Sequence, residues 1–273
     1  VIHPSLVSLM IGHSFTTLLV PLVIALFYFS NKYSRRTPIF ILNVAVIALA
    51  FFAGIMIDAL AIHAILSPTD PWPLALNISI GILGIFQCIF VDLILLLRLI
   101  SLHPPRHLGL PRFSLLIALP VILKIARITN LIVLTKQMAD ASRGPQGAEK
   151  MAALWMSTPC LKIDWTAQVV DNTYASVAFL WSVRTRLSNR QGVTSDIRPA
   201  RTSFAMRLRM ISRIAATNFI IPTLFSIAQI IIVYLGVNTA SINSVVLVNT
   251  MITVFGAVFA TVWVGKERRQ DEA

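Results

Sequence analysis

Five ionisable side chains stand inside long apolar runs of this sequence: Asp58, Asp92, Lys124, Arg127 and Asp171. A charge in hydrocarbon costs about 3 kcal/mol or more unless it is paired or hydrated, so each position asks for a partner or a function. Two acids and two bases can be matched by depth. Counted from the ends of the apolar runs at 1.5 Å per helical residue, Asp92 and Lys124 share one height, and Asp171 and Arg127 another. The spacing predicts two intramembrane ion pairs, Asp92 with Lys124 and Asp171 with Arg127; a ligand or ion pathway is the other use of the same groups. Asp58 has no such mate. Asn43 lies about 60° from it on a helical wheel, which suggests a polar seam or a cation site. Its height near one rim makes Asp58, with His63 and Gln87, a candidate for ligand binding.

Other chemistries find little support. His13 and His63 are the histidines inside the apolar runs, with no His-x-x-x-His or Cys-x-x-Cys spacing, so no metal site and no cofactor is expected. Cys88 falls deep in one run and Cys160 outside another, too far apart for a disulfide, and both are expected free. A hydrolase would need clustered His, Asp or Ser, and a retinal pump a mid-helix lysine in the last run, where Lys266 sits at the end. Enzymatic activity is therefore not expected. Asn77-Ile78-Ser79 fits the glycosylation pattern but abuts the membrane, so its use is not expected.

The elements that position these groups follow from composition. The 273 residues are 56% hydrophobic and 12% charged, against roughly 25% charged in soluble domains, which marks a membrane protein. Spans of about 20 apolar residues are needed to cross a bilayer. Apolar runs separated by breakers predict an all-α, seven-transmembrane helix bundle in a single domain, 1–273, with spans at about 8–29, 37–66, 77–102, 113–135, 163–187, 210–235 and 242–265. The first run lacks a basic leader and is read as a retained helix; Val1 in place of Met suggests trimmed native termini.

Charge placement sets the orientation. Of the 23 Lys and Arg, 17 fall in the first, third and fifth connections with their flanking helix ends, or in the tail, and four on the opposite side. Basic residues resist translocation and meet anionic lipid, so the N-terminus is expected outside and the C-terminus in the cytoplasm of a multi-pass plasma-membrane protein. The net charge of +12 thus speaks for membrane lipid, not nucleic acid. The fifth connection carries Arg184, Arg186, Arg190, Arg207, Arg209 and Arg213, a surface for lipid headgroups and for an acidic partner. Pro38 falls at the start of span two, where a missing amide costs nothing. Pro222 falls near the middle of span six, where a kink and freed carbonyls are expected, with Thr217 and Asn218 beside it for the kink or a ligand.

Two segments carry a family resemblance. Ser34-Arg35-Arg36-Thr37-Pro38-Ile39-Phe40-Ile41-Leu42-Asn43 and Thr217-Asn218-Phe219-Ile220-Ile221-Pro222-Thr223 resemble the first-to-second helix junction and the sixth helix of the fungal class D G-protein-coupled receptors, the alpha-factor-type mating pheromone receptors. At residue level the likeness covers about 20 positions; the order of spans agrees as well. The family's Gly-x-x-x-Gly in the first helix is absent, and the first outer loop is shorter. The resemblance implies a receptor coupling an extracellular peptide or small-molecule ligand to a heterotrimeric G protein, and a homodimer; the mid-span position of Pro222 gives either a passive kink or a hinge on which the basic end, Arg207 to Arg213, swings when the ligand binds. The alternative is a transporter or channel using the intramembrane aspartates.

Overall fold

The computed structural model describes residues 2–67, 72–102, 110–143, 150, 154, 158–191, 220–235 and 239–271. Seven α-helices form there: α1 (Ile2–Tyr28), α2 (Pro38–Leu66), α3 (Leu74–Leu102), α4 (Leu110–Ala141), α5 (Pro159–Gln191), α6 (Ile221–Tyr234) and α7 (Thr239–Asp271). No strand occurs among the described residues.

Local chemistry explains the ends. Past α1, the Ser30 hydroxyl donates to the Leu26 carbonyl at 2.6 Å, and a single 3₁₀ turn, Ser34–Arg36, reverses the chain. Thr37 then caps α2, its hydroxyl accepting from the Phe40 amide at 3.4 Å, and Pro38 occupies the first turn as its position predicts. Pro120 stands inside α4 and deprives the Leu116 carbonyl of its usual amide donor. The Tyr174 hydroxyl of α5 donates to that carbonyl at 2.9 Å, so the proline's defect becomes a tie between helices.

Each helix packs on the next, α7 closes back onto α1, and α3 runs centrally against α2, α4, α5 and α7. Two apolar cores result. Leu19, Leu26, Val46, Ala50, Ile94, Val254 and Val258 join α1, α2, α3 and α7, while Ile85, Leu134, Met138, Leu161 and Trp165 join α3, α4 and α5. Gly54 lets α1 come close, because a Cβ there would run into the Thr16 side chain. Gly265 does the same near the far end, where a Cβ would lie 2.7 Å from the Phe29 carbonyl oxygen.

Polarity is distributed the opposite way from a water-soluble protein. Asp92, Arg127, Asp164, Gln87 and Asn249 are buried, while Leu115, Ile122, Ile125 and Ile132 are more than half exposed. Such an exterior needs an apolar solvent, and the chain is a helical membrane protein.

Among the described residues, five helices are long and apolar enough to cross a membrane: Pro4–Tyr28, Pro38–Leu66, Leu74–Ser101, Phe113–Ala141 and Ser241–Trp263. Of the other two expected spans, α5 falls short in hydropathy and the apolar α6 in described length. α5 turns Asp164, Gln168, Asp171, Asn172 and Ser176 into the interior, which lowers its hydropathy, and the described part of α6 has 14 residues. The helices also overrun several expected boundaries: α4 continues six residues past 135 and α5 begins four before 163.

Candidate functional site

Arg127 sits at the middle of α4 with its guanidinium fully enclosed. Its Nε donates to Asp164 Oδ1 at 2.9 Å and its Nη2 to Asp164 Oδ2 at 3.3 Å, while Nη1 donates to Asp92 Oδ2. One side chain therefore pins α4 to both α3 and α5. Lys124 lies three residues earlier and donates from Nζ to Asp171 Oδ2 at 2.6 Å. All five groups are buried, as charges in such a place must be if they are to stay paired.

The partners expected from depth counting are exchanged. Lys124 takes Asp171, not Asp92, and Arg127 takes Asp92 together with Asp164, not Asp171. The cause is register: the antiparallel α4 and α5 meet about one turn away from the alignment that the expected span ends imposed. Asp164 was missed because it fell at the expected rim of span five. The signal was nonetheless present, since Asp164, Gln168, Asp171 and Asn172 recur at i, i+4, i+7 and i+8 and mark one helix face. Asp92 Oδ1 has no partner among the described residues, and three carboxylates face two bases.

Beside this ionic cluster, towards the end of the bundle where α1 begins, lies a cavity of about 760 Å³. Every helix contributes to its wall. Ile57, Leu60, Ile85, Leu247 and Met251 make it largely apolar, and Asp164 stands at its border with the ionic cluster. Gln87 is fully buried in the wall and neither of its amide atoms has a hydrogen-bond partner among the described residues; Gln168 Nε2 is in the same state. Gln229 is committed instead, accepting from Asn249 Nδ2 at 2.6 Å. Cys88 and Thr250 also border the space, their Sγ and Oγ1 3.8 Å apart; Cys88 and Cys160 are both free thiols.

Of the expected ligand-binding residues, Gln87 borders this cavity, while Asp58 and His63 are elsewhere. Asp58 Oδ2 lies 3.2 Å from His13 Nδ1 of α1, and Gly12 leaves room for the approach. The mate that seemed missing is thus on another helix. His63 meets the Trp72 ring at 5.0 Å between centroids. Asn43 does not join Asp58: fifteen residues put them about 22 Å apart along the axis, whatever the wheel angle. Its Nδ2 donates to Thr261 Oγ1 at 3.0 Å and to the Ile39 carbonyl at 2.6 Å. Thr261 Oγ1 also accepts from Arg98 Nη2, which reaches the Ala257 carbonyl at 2.6 Å. Arg98, counted by sequence among the membrane-surface arginines, turns inward and knots α3 to α7.

Pro222 is buried in the first turn of α6, and Ile220, two residues before it, has π-type helical conformation. Thr217, Asn218, Arg207, Arg209 and Arg213 lie outside the described residues, and Arg184, Arg186 and Arg190 are described only as backbone in the last turns of α5. No group of three or more potential metal ligands occurs among the described residues. Comparison of the chain with family models, with curated proteins and with solved structures found no match.

Proposed function

We propose that this chain is a seven-span receptor of the plasma membrane, with its N-terminus outside, in which an extracellular ligand biases the bundle and the opposite end engages a heterotrimeric G protein. One observation carries the reading: a cavity walled by all seven helices opens within one end of the bundle, while the connections rich in arginine belong to the other. That division of labour is what a transducer needs, a ligand site and an effector surface on opposite sides of the bilayer. The resemblance of residues 34–43 and 217–223 to the fungal class D receptors supports the same reading and suggests homodimers. Pro222, buried in the first turn of α6, is the hinge in this reading, and the basic residues that precede it in sequence move relative to α6.

A transporter would need a hydrated path past the aspartates. The space bordered by Asp92, Lys124 and Asp171 is too narrow for a water molecule, so the receptor reading is preferred. The test is nucleotide exchange on a fungal heterotrimeric G protein reconstituted with the full chain. The parent is expected to accelerate exchange, and Pro222→Leu or joint neutralisation of Arg184, Arg186 and Arg190 to change that rate several-fold. Equal exchange with and without the parent chain removes the proposal.

A further inference from the structure

The wall of the cavity specifies the kind of molecule that fits it. About 760 Å³ falls within the roughly 300–1,000 Å³ typical of sites for small organic ligands. Among the described lining residues the one carboxylate is Asp164, and both its oxygens already accept from Arg127. No free charge therefore awaits an ion, and a charged ligand would enter an apolar space without a counter-charge. Polar capacity is nevertheless left over. Among the described residues the Gln87 amide offers an unused donor and an unused acceptor, and Gln168 Nε2 an unused donor; Asn172, whose side-chain amide is also unbonded, lies outside the cavity, and the Asn249 amide donates to Gln229. Buried amides are rarely left so, and a ligand that both donates and accepts would complete them. Gly84, one turn before Gln87 on α3, borders the same space, and a Cβ there would meet nothing within 4 Å.

We propose that the cavity binds a neutral amphiphile whose amide or hydroxyl head bonds the Gln87 and Gln168 side chains while its apolar body lies along α2, α3 and α7. The proposal names the ligand class for the receptor reading and takes its biological meaning from it, but its test needs no G protein.

The purified full chain is heated in micelles with decanamide, decanol, decanoate or decylammonium at equal concentrations. Unfolding is followed by a fluorogenic maleimide that reaches the buried Cys88 and Cys160 as the chain opens. Decanamide and decanol are expected to raise the midpoint by about 5 °C at a hundred times their dissociation constants, and the two ions to leave it unchanged. Gln87→Met should abolish the decanamide shift. Gly84→Leu, whose side chain fills the cavity, should abolish both shifts. Equal shifts from all four probes, or shifts that survive in both variants, overturn the proposal, as does the absence of any shift in the parent. Dioleoylglycerol built into nanodiscs gives the second arm: protection by it assigns the head group to a bilayer lipid, and protection by decanamide alone assigns it to a molecule from the aqueous side. Exchange lost while binding persists overturns the receptor reading alone; binding absent while exchange persists overturns this inference alone.

Discussion

Replacing Arg127 by Met keeps the unbranched stem as far as the position of Nε and removes the guanidinium that holds Asp92 and Asp164. Three donors disappear at once, two to Asp164 and one to Asp92, from a site that is only 1% exposed. Truncating one partner of a buried ion pair costs about 3–5 kcal/mol, since the surviving charge is left without compensation. Here two carboxylates are orphaned, which adds to the loss, while a membrane-embedded unfolded state finds substitute partners and subtracts from it. A net loss of about 4 kcal/mol is expected, near 10 °C in midpoint for a chain of this size. Lys124→Met orphans Asp171 alone and should cost about half as much. The decisive variant combines Arg127→Met with Asp92→Asn and Asp164→Asn, which removes the charges together and should recover most of the stability. Thermal unfolding of the four purified proteins in one detergent decides the matter. A single variant within about 2 °C of the parent, or a triple variant no more stable than the single, would refute the reasoning.

Two further outcomes follow from local geometry. Tyr174→Phe removes the donor that satisfies the carbonyl freed by Pro120 and should cost about 1 kcal/mol; in a Pro120→Ala background, where an amide is restored, the same change should be nearly neutral, and a double-mutant cycle of unfolding midpoints checks it. Alanine at Gly84 and at Gly265 should act with opposite signs: both gain up to about 1 kcal/mol in helix propensity, but the second must push against the Phe29 carbonyl, at about 1–3 kcal/mol. Equal midpoints for the two variants would contradict the packing around α7.

What could be read from the sequence was whatever depends on composition and on single residues. Hydrocarbon has no tolerance for lone charges, so Asp92, Lys124, Arg127 and Asp171 announced an interior, and the structure buries all four. Pro38 announced a helix start, and α2 begins there. What failed were statements about which residues meet. An apolar run fixes its length only to within a turn, and one turn suffices to exchange the partners of Lys124 and Arg127. A wheel angle says nothing of height, which is why Asn43 and Asp58 were joined on paper and are separate in the fold. Asp58 instead meets His13 on the neighbouring helix α1, and Arg98 meets Ala257 and Thr261 on α7, far along the chain. Of the cavity only Gln87 was legible: its shape arises from the absence of side chains, at Gly84 among others, and absence leaves no mark in a pattern of apolar residues.

The receptor reading requires that filling the cavity be felt at the far end, and a ligand can shift an equilibrium only by contacts that differ between two arrangements. Asp164 supplies the first link, because it borders the cavity and holds Arg127. Arg127 holds Asp92, and Arg98 follows on the same helix about 9 Å further along the axis. Arg98 grips Ala257 and Thr261, and Thr261 takes Asn43. The line thus passes from α5 through α4 and α3 to α7 and α2, alternating ion pairs with one rigid helix segment, and each link is a bonded group with a definite geometry. Such a line remains a statement of proximity until one link is cut without unfolding the protein. The triple variant at Arg127, Asp92 and Asp164 is that cut. If it recovers stability and keeps the decanamide shift yet no longer accelerates nucleotide exchange, the ionic cluster transmits; if exchange survives, the cluster only holds the helices together, and the signal travels by way of α6 and Pro222.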